Sequence, residues 1–324
     1  MQRNGGTIPA ITGDIDHKNA IHIFPKDLLY LRSSIIAYGS SLVSTFVGFP
    51  LDTIKVRMQT HKEFTSYYDC IKKTFAKEGI KGFFRGVWAP LISTSFSKSL
   101  SVSIYSYTKP YIYNGLFNNS FYRDIKEDHP FIRNLPVCFL SGLIAGGCVS
   151  IFACPFEFIK VYAQLEKLVG NKVGAKLNNT STIQIMRNII KYKGLLGLYS
   201  GFKLHLLRDS VSTGIYYSFY ESVKLLLSGT QSSPFAILIA GGLSGVLSWI
   251  IIFPVDTAKS LIQNEVVKSI LSKQHGISMG EIIEDKKKEP MKISYRGLGI
   301  SVTRSFITSM VFFGTFELGM KYLA

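Results

Sequence analysis

Apolar residues in this chain gather into six long segments, roughly 30–58, 87–115, 135–163, 200–227, 234–262 and 298–322. Each is long enough for a tilted membrane helix, which needs about 20 residues. None is uniformly apolar, because Ser, Thr, Tyr or a charge recurs inside every one. Helices surrounded only by lipid would shed such residues. The pattern predicts an all-α membrane protein, a bundle of six transmembrane helices with one face to lipid and one to a polar interior. Two shorter stretches, 67–77 and 181–192, are amphipathic but too short and too charged to span. They are expected to lie along the interface. The last third instead carries a polar insert over 265–294, whose run from Glu284 to Glu289 reads as solvated.

The segments also repeat. Segments one, three and five end in Pro50-Leu-Asp52-Thr-Ile-Lys55, Pro155-Phe-Glu157-Phe-Ile-Lys160 and Pro254-Val-Asp256-Thr-Ala-Lys259, with Gln59, Gln164 and Gln263 following. The copies recur roughly every hundred residues, the mark of a tandem architecture. The thirds are delimited as 30–118, 133–229 and 234–324, after a polar segment 1–29. A glycine pattern recurs too: Gly79-x-x-Gly82-x-x-x-Gly86 matches Gly194-x-x-Gly197-x-x-x-Gly201, while the last third keeps Tyr295-Arg296-Gly297.

The physics of the signature suggests a gate. A proline inside a helix removes a backbone hydrogen bond and bends the rod. Three such bends would draw three helix ends together. The acid and base of each copy lie almost one turn apart, so the base of one helix can reach the acid of its neighbour. A ring of Asp52, Glu157 and Asp256 against Lys55, Lys160 and Lys259 is expected. Pairing lowers the cost of charge at membrane depth while leaving the contacts breakable.

The triple signature, two spanning segments per repeat and the interfacial helix between them resemble the mitochondrial carrier family, over almost all of residues 30–322. The resemblance implies a transporter of the mitochondrial inner membrane, working by alternating access. It places the proline ring and the interfacial helices on the matrix side, makes the three glutamines braces across the ring, and puts both termini in the intermembrane space. The greater basicity of the odd-to-even loops fits all three sharing one side. It also implies cardiolipin at the helix starts, where backbone N–H groups attract phosphate, and a monomeric carrier.

A second gate is expected on the opposite side. In the family it is an aromatic-acid-x-x-base pattern late in the even segments. Segment four has it complete in Tyr220-Glu221-Ser-Val-Lys224; segment two keeps Lys109 but has Ser106 for the acid; segment six keeps Glu317 but has Met320 for the base. Lys109, Glu221, Lys224 and Glu317 can form at most two pairs, so this gate is expected to be the weaker. A local i,i+3 pair of Glu221 with Lys224 is the simpler alternative. Gly142-x-x-x-Gly146 and Gly241-x-x-x-Gly245 should allow close helix contact, whereas Gly39 followed by Val43 should not.

Charges midway along the even segments are candidates for substrate contact: Arg208-Asp209, Arg304 and, in a serine-rich stretch, Ser97-Lys98. An arginine grips a carboxylate bidentately, and an adjacent aspartate meets an ammonium. The Arg-acid pair resembles the amino acid, carnitine and ornithine subgroup of the family. The surplus of cations would also suit a di- or tricarboxylate, the alternative substrate class on the same fold. A receptor that lost transport, and an anion or proton leak channel, are readings from other classes.

Composition narrows the field further. The apolar fraction is 47% with a formal charge of +16. The basic residues lie between apolar segments rather than in a dense aromatic-rich patch, which argues for anionic lipid and against nucleic acid. No catalytic dyad, nucleotide loop or metal spacing stands out, so neither an enzyme nor a metal site is expected. The cysteines, Cys70, Cys138, Cys148 and Cys154, suggest no disulfide framework. Residues 1–28 resemble neither a signal peptide nor an Arg-rich presequence, so any organelle address should be internal.

Overall fold

The computed structural model describes Ile21, Phe24 and Pro25, then residues 31–60, 66–84, 87–117, 130–173, 182–228, 234–275 and 298–323. Among these are eight α-helices. They are α1 (Arg32–Thr60), α2 (Tyr67–Glu78), α3 (Trp88–Phe117), α4 (Pro130–Val173), α5 (Thr182–Lys193), α6 (Phe202–Ser228), α7 (Pro234–His275) and α8 (Leu298–Tyr322). Three stretches, Arg32–Ile54, Asn134–Glu166 and Ile237–Gln274, are long and apolar enough to cross a membrane. The side chains of Lys55 and Gln59, and the positions Gly86 and Tyr295-Arg296-Gly297, fall outside the described residues, as do nearly all of 1–29 and the stretch 276–294.

The polarity of α1 is inverted relative to a helix in water. Its buried face carries Ile36 and Ala37, then Ser40, Ser41, Ser44 and Thr45. Its exposed face carries Ile35, Val43, Phe46 and Val47. The same inversion holds in α4, with Ser141 and Ser150 inside and Ile144, Ile151 and Phe152 outside, and in α7, with Ser244 and Ser248 inside and Leu243, Ile250 and Ile251 outside. Contiguous apolar surface of this extent would drive association in water; against hydrocarbon it is a solvated face.

The chain forms two compact units. The first comprises Met1–Gly146, Ser210–Ile251 and Gly297–Ala324. Its core is aromatic: Tyr105 stacks on Tyr217 at 4.0 Å, and Tyr220 lies flat on Phe313 at 3.5 Å. Small residues set its helix spacing. A side chain at Gly142 would come within 2.8 Å of the Gly214 backbone, so α4 and α6 touch main chain to main chain there. Gly245 is likewise pressed on Ser305 and Ser309 of α8, whereas Gly39 of α1 faces open space. Phe24 packs on the core, and Ile21 forms a short parallel bridge with Leu323. Arg32 donates to the carbonyls of Leu323 and Met320, satisfying orphan acceptors at the end of α8.

The second unit comprises Gly147–Asp209 and Ile252–Arg296. Phe158 and Tyr162 of α4, Ile185 and Ile189 of α5, and Val267, Ile270 and Leu271 of α7 form its core. The insert expected over 265–294 is therefore corrected at its start: α7 continues as helix to His275. The reason is apolar spacing in Val267, Ile270 and Leu271, which buries one side of a stretch polar by composition. Tyr162 fixes this extension by donating to Gln274 at 2.7 Å.

The repeated glycines have a geometric cause. Gly79 and Gly194 end the amphipathic helices with φ of +63° and +71°, a region that L side chains avoid. Each is followed by a 3-10 turn, Ile80–Phe84 or Leu195–Tyr199. Ser66 starts α2 by accepting the Asp69 N–H at 3.2 Å.

Candidate substrate cavity and charge networks

In the second unit, Arg208 on α6 is the hub. Its Nε donates to Asp209 Oδ1 at 2.7 Å, Nη1 to Asp256 Oδ1 on α7 at 3.0 Å, and Nη2 to Glu157 Oε1 on α4 at 3.0 Å. One guanidinium thus serves three carboxylates on three helices, which its rigid fork of five donors permits. Lys259 completes the cluster by pairing with the other Glu157 oxygen. Its ammonium also lies 2.6 Å from His205 Nδ1, so that nitrogen accepts when the lysine is charged. His205 is fully buried, within 3.3 Å of both Glu157 and Asp209.

In the first unit two pairs join α6 to its neighbours. Lys109 of α3 donates to Glu221 at 2.9 Å, and Lys224 to Glu317 of α8 at 2.5 Å. The Tyr220 hydroxyl donates to the same Glu317 oxygen at 2.7 Å. Each acid finds a base on another helix. Ser106 is half-buried and Met320 buried at the positions where the pattern breaks.

The first unit also holds a cavity of about 280 Å³. Lys98, Arg304, Trp249, Tyr216 and Phe312 line it, with hydroxyls of Thr45, Thr94, Ser101, Ser212 and Ser248 between them. Several hydroxyls bond one another, as Ser212 with Ser248 at 2.8 Å and Thr45 with Thr94 at 3.2 Å. Arg304 pairs with Asp52.

These contacts redistribute the expected roles. The ring was expected to match the signature acids with signature lysines; Glu157 with Lys259 is such a match. Asp256 instead holds Arg208, Asp52 holds Arg304, and Lys160 is exposed. The longer, planar arginine reaches acids on two helices at once, which a lysine's point charge does less well. Arg208 and Asp209, expected at the substrate, are occupied in ion pairs. Gln263 is buried but donates to the Ser200 carbonyl at 3.4 Å rather than across an ion pair, and Gln164 is exposed. Ser97 spends its hydroxyl on the Ser93 carbonyl, so Ser101 is the serine of that stretch on the cavity wall. Trp249, Tyr216 and the ionic surroundings of His205 were not anticipated. An aromatic within an apolar run and a histidine among leucines carry no signal until the helices are placed.

A family profile described as Mitochondrial carrier protein matches residues 26–116, 133–231 and 230–324. This chain belongs to the mitochondrial carrier family. Its carrier relatives include the mitochondrial ornithine transporter 1 of Schizosaccharomyces pombe, 33% identical across 87% of this chain and 89% of that one. A mitochondrial arginine transporter of Arabidopsis thaliana is 29% identical, covering 85% and 86%. The human mitochondrial carnitine/acylcarnitine carrier protein is 27% identical, covering 92% and 96%. In this carrier, then, each of the three signature acids is held by an arginine from an even-numbered repeat helix, Arg304 for Asp52 and Arg208 for Glu157 and Asp256.

Proposed function

We propose that this carrier moves a small amino-acid-like or carnitine-like carboxylate across the mitochondrial inner membrane by alternating access. One observation carries the reading: the arginines that bind the signature acids are also the groups suited to bind a carboxylate. A substrate carboxylate is chemically the same ligand as Asp52, Glu157 or Asp256. Arriving at Arg304, which lines the cavity, it competes with Asp52 for one guanidinium. The released aspartate must then find another partner, so binding is converted into a change of ion pairing. Such exchange trades one charge-assisted bond for another and keeps the barrier low.

The cavity size supports a small metabolite, since about 280 Å³ lies at the lower end of ligand sites. The names of the ornithine, arginine and carnitine relatives share one chemistry, a carboxylate together with a cationic nitrogen. In this reading α1, α3, α4, α6, α7 and α8 span the membrane, α2 and α5 lie on the matrix face, and both termini face the intermembrane space. The signature network is the matrix gate, and Lys109, Glu221, Lys224 and Glu317 form the gate opposite. The carrier acts as a monomer, with cardiolipin at helix starts such as that following Gly201, where φ is +79°.

Purified protein in liposomes, offered labelled amino acids, carnitine and carboxylates, tests the reading. Saturable exchange of at least one carboxylate-bearing solute is expected. Folded protein that moves none of them would refute it.

A further inference from the structure

We infer that Lys98 is the seat of a substrate oxyanion, so that this carrier selects solutes with at least as many carboxylates as cationic nitrogens and discriminates against dibasic amino acids. The inference rests on the transport reading above and narrows its substrate class. Two cations, Lys98 and Arg304, stand on the cavity wall, and among the described residues that wall contains no carboxylate. Arg304 already has Asp52. The Lys98 ammonium has no carboxylate partner among the described residues. Its contacts are the Ser44 hydroxyl at 3.5 Å and the face of Phe312 at 4.9 Å. Neither carries a full negative charge. An ammonium kept unpaired within a membrane helix is costly, and a solute anion relieves that cost.

The rest of the wall agrees with this assignment. Ser101, Thr45, Thr94, Ser212 and Ser248 bring neutral hydroxyls, which make the wall polar without adding charge. A substrate with two ammonium groups and one carboxylate would bring at least one ammonium beside two fixed cations with nothing opposite. Such repulsion is how a site rejects a near relative of its ligand. A site of this kind disfavours the dibasic solutes for which the ornithine and arginine relatives are named.

The test compares ornithine, arginine, glutamine, glutamate and malate, both as liposome exchange substrates and as ligands raising the Tm of the detergent-solubilised protein. Glutamate or malate should exceed ornithine by roughly tenfold or more in exchange, the scale of one mismatched charge, and should raise the Tm. Lys98→Gln should erase that preference, Lys98→Arg should keep it, and Lys98→Glu should turn it toward ornithine. Lys98→Arg guards against mistaking misfolding for lost selectivity. Ornithine exchanged as fast as malate by the wild type, or a preference intact in Lys98→Gln, overturns the assignment while leaving transport standing. A Tm rise with malate that vanishes in Lys98→Gln, without flux of any solute, sustains the site and refutes transport. No flux and no shift overturns both.

Discussion

The charges around Arg208 and those around Tyr220 meet the same cost of burial in different ways. Around Arg208 the pairing is shared: three carboxylates divide one guanidinium, and Glu157 also takes Lys259. That cluster is partly wet, with the Glu157 side chain 38% and Asp256 23% exposed. Around Tyr220, Lys109 meets Glu221 and Lys224 meets Glu317, and the acids are drier, with Glu221 1% and Glu317 6% exposed. A shared, hydrated cluster can give up one contact and keep the others. A dry pair loses more when its contact breaks, because no water is at hand to replace the lost partner. The number of pairs alone is therefore a poor measure of what separating the helices would cost, because a dry contact is harder to replace than a wet one.

The largest effect is expected at Arg208, which bridges Asp209, Asp256 and Glu157. Arg208→Ala leaves three acids facing one lysine and a histidine, and transport should fall by about a hundredfold or more, the scale of several kcal/mol. Arg208→Lys should recover only part of it, because an ammonium cannot serve three helices. Exchange rates in liposomes, with detergent Tm as the folding control, read both. Wild-type exchange in Arg208→Ala would show that the cluster is bystander structure. The dry pairs should instead show themselves in stability. Lys109→Met strands Glu221 and should cost about 3–5 kcal/mol, the usual penalty for half a buried pair. The double variant Lys109→Met, Glu221→Leu should recover much of that loss. If the double variant is no more stable than the single, the pair does not carry the cost assigned to it.

What the sequence made readable follows from what repeats. The three signatures, the glycines of the 3-10 turns and the two amphipathic helices all recur, and local geometry explains each from its own residues. The partners of those signatures were not readable in the same way. Whether Asp256 meets a lysine or Arg208 depends on the rotation of α6 against α7, which periodicity leaves open. His205 illustrates the limit, since neighbouring leucines give no hint that its ring meets Lys259. The start of the supposed insert was missed for a different reason. The charged residues Glu265, Lys268 and Lys273, set around Val267, Ile270 and Leu271, mask an apolar stripe that helical spacing alone exposes.

The smallest expected effect lies at Tyr220, and it separates the two dry pairs from each other. Glu317 accepts from both Lys224 and the Tyr220 hydroxyl, so losing either leaves one donor in place. Lys224→Met should therefore destabilise less than Lys109→Met. Tyr220→Phe should cost about 0.5–2 kcal/mol, the range for a hydrogen bond to a charged group inside a membrane protein. The substitution is clean because the ring that stacks on Phe313 at 3.5 Å is retained. In a double-mutant cycle, removing both donors strands Glu317 as Lys109→Met strands Glu221, so the combined loss should exceed the sum of the single losses. Tm values of the four proteins at one detergent composition supply the cycle. Additive losses would mean that the hydroxyl and the ammonium act on Glu317 independently, and the two pairs would then differ in dryness alone.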